Sequence, residues 1–374
     1  MDQYDRRAYD LSYQAELAAN SEPVTGQDPD GLPMPFSLSA VFDNPPQLSP
    51  PVIEGVLRQG HKMLLSGPSK AGKSFALMEL CIAIAEGMNW FGNRCKKGKV
   101  LYINMEIDRR SCINRIKKIY EAYSHLFEAQ NTDNITIWSL RGYARPISLL
   151  KDKIIETAKN DYVAIVLDPL YKVMEGDENS NADVSKMVAF FDEITEKTGA
   201  SMIYAHHFAK GNSGDKDVID RAAGAGTFAR DADALVTLTQ LDTDNENGDT
   251  AWRTEYVIRE FPPKKPYDVW FRYPLHEFDE DLKTETIITS ETKKQKRRDA
   301  ASHQKKDKTT EDILGVIENV SDSEGKFLFS RFYNFYQGVE KVSDPTARSR
   351  LKALGYYPDE NCPPGGTPYW RKKE

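Results

Sequence analysis

Between residue 61 and about residue 240 the chain alternates short apolar runs with longer amphipathic segments. KMLLSG (62–67), KVLYINME (99–106), NITIWSL (134–140), YVAIVLD (162–168) and ASMIYAHH (200–207) have the length and composition of strands. The segments between them, 73–87, RRSCINRIKKIYEAY (109–123), ISLLKDKIIETAKN (147–160) and NADVSKMVAFFDEITEKTG (181–199), carry apolar residues at helical spacing. The last of these stops at a glycine, a natural helix terminator. ALVTLTQL (234–241) and WRTEYVIREF (252–261) add two further strands. Strands that are almost wholly apolar, each followed by a helix, predict an α/β fold. Its sheet should be mostly parallel and covered by helices on both faces.

The flanks differ. Residues 1–45 are polar and carry scattered Pro, Gly and Asp, which predicts an irregular tail. The core is expected over 46–282, a basic linker over 283–308 and a small unit over 309–374. In that unit Ile313, Val316, Ile317 and Val320 form a helical stripe, and KFLFSRFYNFYQ reads as a second helix. SDPTARSRLKALG reads as a third, with Ser343 or Asp344 as cap, Pro345 in the first turn and Gly355 as terminator. PPGGT then joins YYPDE to YWRKK as a hairpin. Three helices and a hairpin outline a winged helix, whose third helix should expose Arg348, Arg350 and Lys352 towards duplex DNA. A small helical domain for protein contacts is the alternative.

Composition changes this picture in three places. The net charge of -7 is uneven: residues 293–308 hold eight Lys/Arg and two Asp, a local +6 that leaves about -13 elsewhere. Such a stretch suits an anionic polymer or a solvated linker. No apolar run approaches the ~18 residues of a membrane span, and the acidic, polar start lacks the order of a signal peptide. The four cysteines, Cys81, Cys95, Cys112 and Cys362, have no metal-ligand spacing, so a reduced cytoplasmic protein is expected.

The chemistry is concentrated in GPSKAGKS (67–74), which fits GxxxxGK[ST] between a predicted strand and a predicted helix. Successive backbone N–H groups in such a loop form a nest for a β-phosphate, and the helix N-terminus adds its positive end. The nucleotide-binding set is therefore Gly67, Pro68, Ser69, Lys70, Ala71, Gly72, Lys73, Ser74 and Phe75. Lys73 would bridge the β- and γ-phosphates of ATP, and the Ser74 hydroxyl would reach Mg²⁺. Asp168, at the carboxyl end of a buried strand, would hold the Mg²⁺ water shell. Glu106 closes the next strand. If that strand neighbours the phosphate-binding one, Glu106 faces the γ-phosphate across a water; Asp108 is the local competitor. His207 closes a later strand and could hydrogen-bond the γ-phosphate, with His206 pointing the other way.

The order of these motifs, P-loop, NMEI, LDPL and AHHFAK, resembles that of RecA-like ATPases. Over residues 46–262 it looks most like the RepA-type hexameric replicative helicases of plasmids and mobile elements. The resemblance implies a RecA-like P-loop core, with Glu106 as catalytic glutamate, Asp168 as Walker B aspartate and His207 as γ-phosphate sensor. It also implies a homo-oligomeric ring in which a neighbour supplies an arginine. Arg259 is favoured over Arg230, with Arg221 a third candidate. Segments 171–185 and 208–226 would face the central channel and grip single-stranded DNA. The expected function is a Mg²⁺-ATP-driven DNA motor, a helicase. The alternatives are an ATP-switched DNA-binding regulator or partition-like factor, and a recombinase-like filament former.

Overall fold

The computed structural model describes residues 28, 32–126, 130–143, 145–159, 161–177, 180–207, 226–243, 248–359 and 368–373. Two compact units divide the chain, residues 1–288 and 289–374.

In the first unit, β1 (Pro51–Ile53) and β2 (Leu57–Arg58) form a small hairpin before β3 (Lys62–Gly67). α1 (Lys73–Glu86) follows, then a second small hairpin, β4 (Asn89–Trp90) and β5 (Asn93–Arg94). The chain continues through β6 (Lys99–Asn104), α2 (Arg109–Ala122), β7 (Ile135–Ser139), α3 (Ile147–Ala158), β8 (Tyr162–Asp168), α4 (Asn181–Thr198) and β9 (Ser201–His207). It ends with α5 (Gly226–Asp231), β10 (Ala234–Gln240), β11 (Thr250–Ile258), β12 (Tyr267–Arg272) and β13 (Leu275–Phe278).

Among the described residues the main sheet has the order β13-β12-β11-β10-β3-β9-β8-β6-β7. From β10 to β7 every pairing is parallel; β11, β12 and β13 are added antiparallel at one edge. The mostly parallel α/β fold expected from the alternation is the one observed. Strand parity divides the interior in two, because successive side chains point to opposite faces. Val100, Tyr102, Ala164, Val166, Ile203 and Ala205 face one core with α1 and α2. Leu101, Ile103, Ile165, Leu167, Met202 and Tyr204 face the other with α3 and α4. α1 is buried almost throughout, which explains why its sequence lacks a polar face. α2 and α4 start on side-chain caps: Asp108 accepts from the Ser111 N–H, and Ser180 from the Asp183 N–H.

Three local expectations need correction. The strand read to Glu106 stops at Asn104, whose side chain bonds the backbone N–H (3.0 Å) and carbonyl (2.6 Å) of Ile107 and bends the chain. The strand read to Phe261 stops at Ile258, so Arg259 follows it. β12 and β13 were not expected. Their alternation is masked by Asp268, a buried carboxylate that accepts from Arg253 at 2.9 and 2.7 Å and therefore looks like a surface residue in the sequence.

The second unit contains α6 (Ser290–Val320), β14 (Phe327–Leu328), α7 (Phe329–Val339), α8 (Asp344–Ala353), β15 (Tyr356–Pro358) and β16 (Tyr369–Lys372). The strands form an antiparallel sheet of order β14-β16-β15 over Ile313, Phe327, Phe332, Tyr336, Leu351 and Trp370. The basic stretch read as a linker is instead part of α6: no Pro or Gly interrupts 290–314, and Lys, Arg, Gln and Ala are good helix formers. On α8, Arg350 turns inward and donates to Tyr336 Oη (2.6 Å) and Glu340 Oε2 (2.5 Å). Arg348 pairs with Asp344 at 2.5 Å, and its guanidinium lies 3.7 Å from the Phe329 ring centre. Of the three cations expected to project together, two are engaged within the unit.

Candidate functional site

The loop 67–72 turns from β3 into α1 through two left-handed residues, Lys70 (φ 66°) and Gly72 (φ 76°). Gly72 is the N-cap of α1, so the loop's N–H groups and the helix N-terminus share one concavity. Gly67 is required by a close approach. A Cβ there would stand 3.2 Å from both Leu238 Cβ and the Leu238 carbonyl on β10.

Lys73 is buried, and its ammonium donates to the carbonyls of Gly67 and Pro68, both at 2.8 Å. It also lies 3.0 Å from Nδ1 of His207. Burial brings the Lys73 pKa down to about 8 against the opposing charges of Asp168 and Glu106. His207 is pushed down to about 4 by burial first, then by Lys73 and His206. Its imidazole is therefore neutral near pH 7, and Nδ1 accepts from the lysine. Parity explains the placement: Ile203, Ala205 and His207 share the α1 face of β9, whereas His206 points to the other face, with its ring centre 6.0 Å from that of Phe228.

Asp168 ends β8 on the same face, two residues after Val166. It is buried, and burial raises its pKa; hydrogen bonds from Tyr102 and Ser74 and the Lys73 charge oppose that rise. The Tyr102 hydroxyl donates to Asp168 Oδ2 at 2.7 Å. Tyr102 was missed in the sequence. Only the strand pairing reveals it: Tyr102 lies on β6, which pairs with β8 so that Asn104 is level with Asp168, leaving Tyr102 two residues back on the same face.

Glu106 does not lie on a strand adjacent to β3, because β9 and β8 intervene between β3 and β6. The condition under which it was expected to face the phosphate is not met as stated. It sits instead in the exposed turn after Asn104, where its charge still acts on Lys73, Asp168 and His207. The reason is that β6 and β8 end level and the Met105 N–H bonds the Asp168 carbonyl at 2.9 Å. Asp108, the competitor, caps α2, and its pKa is lowered by the Ser111 hydrogen bonds.

Arg230 and Arg259 are both exposed, and the Arg259 guanidinium donates to the Arg230 carbonyl. They stand beside Ala234, which is level with Met63. Gly67 is four residues further along β3, about 13 Å away at strand rise. Neither arginine is assembled with Lys73 within the chain. Arg221 and the segment 208–225 lie outside the described residues. Segment 171–185 is described except for residues 178 and 179; it begins in a short 3-10 turn and ends in the first turn of α4.

A family model described as AAA domain matches residues 29–213, the span from the chain's approach to the core through the end of β9 and just beyond. Among solved structures, one that is itself described as an ATPase domain is 12% identical, with 66% of this chain and 100% of that chain covered and a TM-score of 0.47. A KaiC-like protein from the hyperthermophilic archaeon Pyrococcus horikoshii OT3 is 14% identical, covering 61% of this chain and 93% of its own, with a TM-score of 0.42. The flagellar accessory protein FlaH from Methanocaldococcus jannaschii is 11% identical, covering 62% and 91%, with a TM-score of 0.39. No curated protein matches the sequence. The AAA-domain match over residues 29–213 and the P-loop sequence at the β3–α1 turn support a P-loop ATPase core. Among the described residues no helix is long and apolar enough to cross a membrane.

Proposed function

We propose that this chain is a Mg²⁺-ATP-dependent DNA motor, a ring-forming replicative helicase of a plasmid, phage or mobile element. The observation that carries the ATP-dependent part of the reading is the convergence of Lys73, Ser74, Asp168 and His207, with Glu106 at the rim, and the DNA-motor part rests on the motif order P-loop, NMEI, LDPL and AHHFAK. The residues fit a nucleoside triphosphate and its metal. Gly67 and Gly72 let the loop pack its back closely against Leu238 and His276 while it turns its N–H groups into one concavity, and a buried carboxylate, Asp168, already shares a hydrogen bond with the Ser74 hydroxyl. Ser74 and Asp168 would hold Mg²⁺, which neutralises charge on the β- and γ-phosphates. Lys73 would leave the Gly67 and Pro68 carbonyls to meet the phosphates. Glu106 would orient and deprotonate the attacking water from its exposed turn. His207, at the last residue of β9, would sense the γ-phosphate and pass that state to the segment that follows, 208–226, proposed to grip single-stranded DNA.

The remoteness of Arg230 and Arg259 from Lys73 supports their use in trans. One of them, Arg259 in the favoured assignment, would reach the site of a neighbouring subunit of a hexameric ring. The second unit would serve as a winged-helix-like domain for duplex DNA. With Arg348 and Arg350 engaged internally, the charge for that contact would come from Lys352 and the basic stretch of α6.

The test is ATP turnover with and without single-stranded DNA, alongside strand displacement on a forked duplex. A helicase shows DNA-stimulated turnover and strand separation. A regulator or partition-like factor binds duplex DNA and shows neither, and a recombinase-like protein forms filaments on DNA. Lys73→Ala should abolish nucleotide binding or turnover. Glu106→Gln should bind ATP and hydrolyse it very slowly; normal turnover by that variant would refute the assignment of the base.

A further inference from the structure

His276, the second residue of β13, sits behind the phosphate loop with its side chain fully buried. Its Nδ1 lies 2.6 Å from Oε1 of Glu79, and its backbone N–H donates to Oε2 of the same carboxylate at 3.2 Å. Glu79 is itself buried on α1, the helix that begins with Lys73, and also accepts from the Tyr123 hydroxyl at 3.1 Å. The Glu79 carboxylate thus fixes which way the ring points. The other nitrogen, Nε2, has no hydrogen-bond partner among the described residues. It is aimed at the loop: a Cβ built on Gly72 would stand 3.0 Å from it. Phe271 and Phe91 flank the ring, with centroids at 4.7 and 5.5 Å.

A buried imidazole nitrogen without a protein partner is costly, and an aromatic hydrocarbon would fill the same space without that cost. Nε2, on the side of the ring away from Glu79, faces the turn Gly72–Lys73. We infer that His276 is a positioning residue for the phosphate loop: Glu79 holds its ring against the back of Gly72, and this contact keeps the left-handed turn in the conformation that aims the loop N–H groups at a nucleotide phosphate. The β12–β13 strands would then be tied to the nucleotide site through the loop and through Glu79 together. This rests on the nucleotide-binding reading above.

The test uses the full-length protein, a fluorescent ATP analogue in a binding titration, and thermal melting without nucleotide. His276→Asn keeps an amide N–H near Nδ1 for Glu79 and removes the atom facing Gly72. His276→Gln places a polar atom near Nε2. The expected result is that both variants melt below the parent through loss of the buried ring, and that the Asn variant binds the analogue about five- to tenfold more weakly than the parent. The Gln variant should recover part of that loss. Parental affinity in the Asn variant would overturn the inference, as would equal loss in both variants in proportion to lowered melting points. If the parent protein itself fails to bind the analogue, the nucleotide reading fails first, which separates the two failures.

Discussion

Removing the Tyr102 hydroxyl tests how the buried carboxylate at the heart of the site is tolerated. Asp168 is buried at the end of β8, and Tyr102 donates to it at 2.7 Å from the adjacent strand. A hydrogen bond to a buried charged group contributes about 1.5–3 kcal/mol. For a unit of this size each kcal/mol moves the melting point by about 2–4 °C. Tyr102→Phe, which keeps the ring and its packing, should therefore lower the melting temperature by about 3–12 °C at pH 8. The pH dependence identifies the cause. Burial holds the folded pKa of Asp168 above its unfolded value. Its favourable contribution is therefore present below the unfolded pKa and is lost as pH rises through the folded pKa. Without the Tyr102 donor the folded pKa rises further, so the variant's deficit should grow with pH and shrink towards the acid end of the range. Melting curves of parent and variant from about pH 4 to 8, without nucleotide or divalent cation, provide the measurement. A deficit that is constant across that range would mean that Tyr102 acts through packing, and the argument from the Asp168 charge would fall.

His207 should remain neutral down to about pH 4, read by NMR titration of its ring protons, with a higher pKa in Lys73→Met because one nearby cation is gone. Its unfolded form takes up a proton first, so its contribution makes the protein less stable as pH falls from about 6.5 to about 4. Mixing inactive Lys73→Ala with inactive Arg259→Ala should restore part of the ATP turnover if the arginine acts across an interface; a mixture as inactive as its parts would count against that role. Gly72→Ala should weaken nucleotide binding more than about tenfold, since its φ of 76° and the 3.0 Å approach to His276 both oppose a side chain. In the second unit, Arg350→Ala should lower the melting temperature by removing donors to Tyr336 and Glu340, without changing ATP turnover by the first unit.

The phosphate loop, the strands that carry Asp168 and His207 and the helices between them were legible from sequence, because each is written locally. Glycine spacing encodes a turn that only small residues permit, and apolar runs encode burial on both faces of a sheet. The parity of His206 and His207 could likewise be read, since side chains alternate strictly along a strand. Strand order, by contrast, is set by pairings between distant segments. It places β9 between β3 and β8, moves Glu106 off any strand adjacent to the phosphate loop, and sets Arg259 against Arg230 at the far end of the sheet. Tyr102 reaches Asp168 from 66 positions away, and His276 reaches Glu79 from 197. No local pattern records such partners, because a buried Tyr, Glu or Asp has the same side chain as an exposed one; only the packed fold supplies the low-dielectric surroundings that make each contact matter.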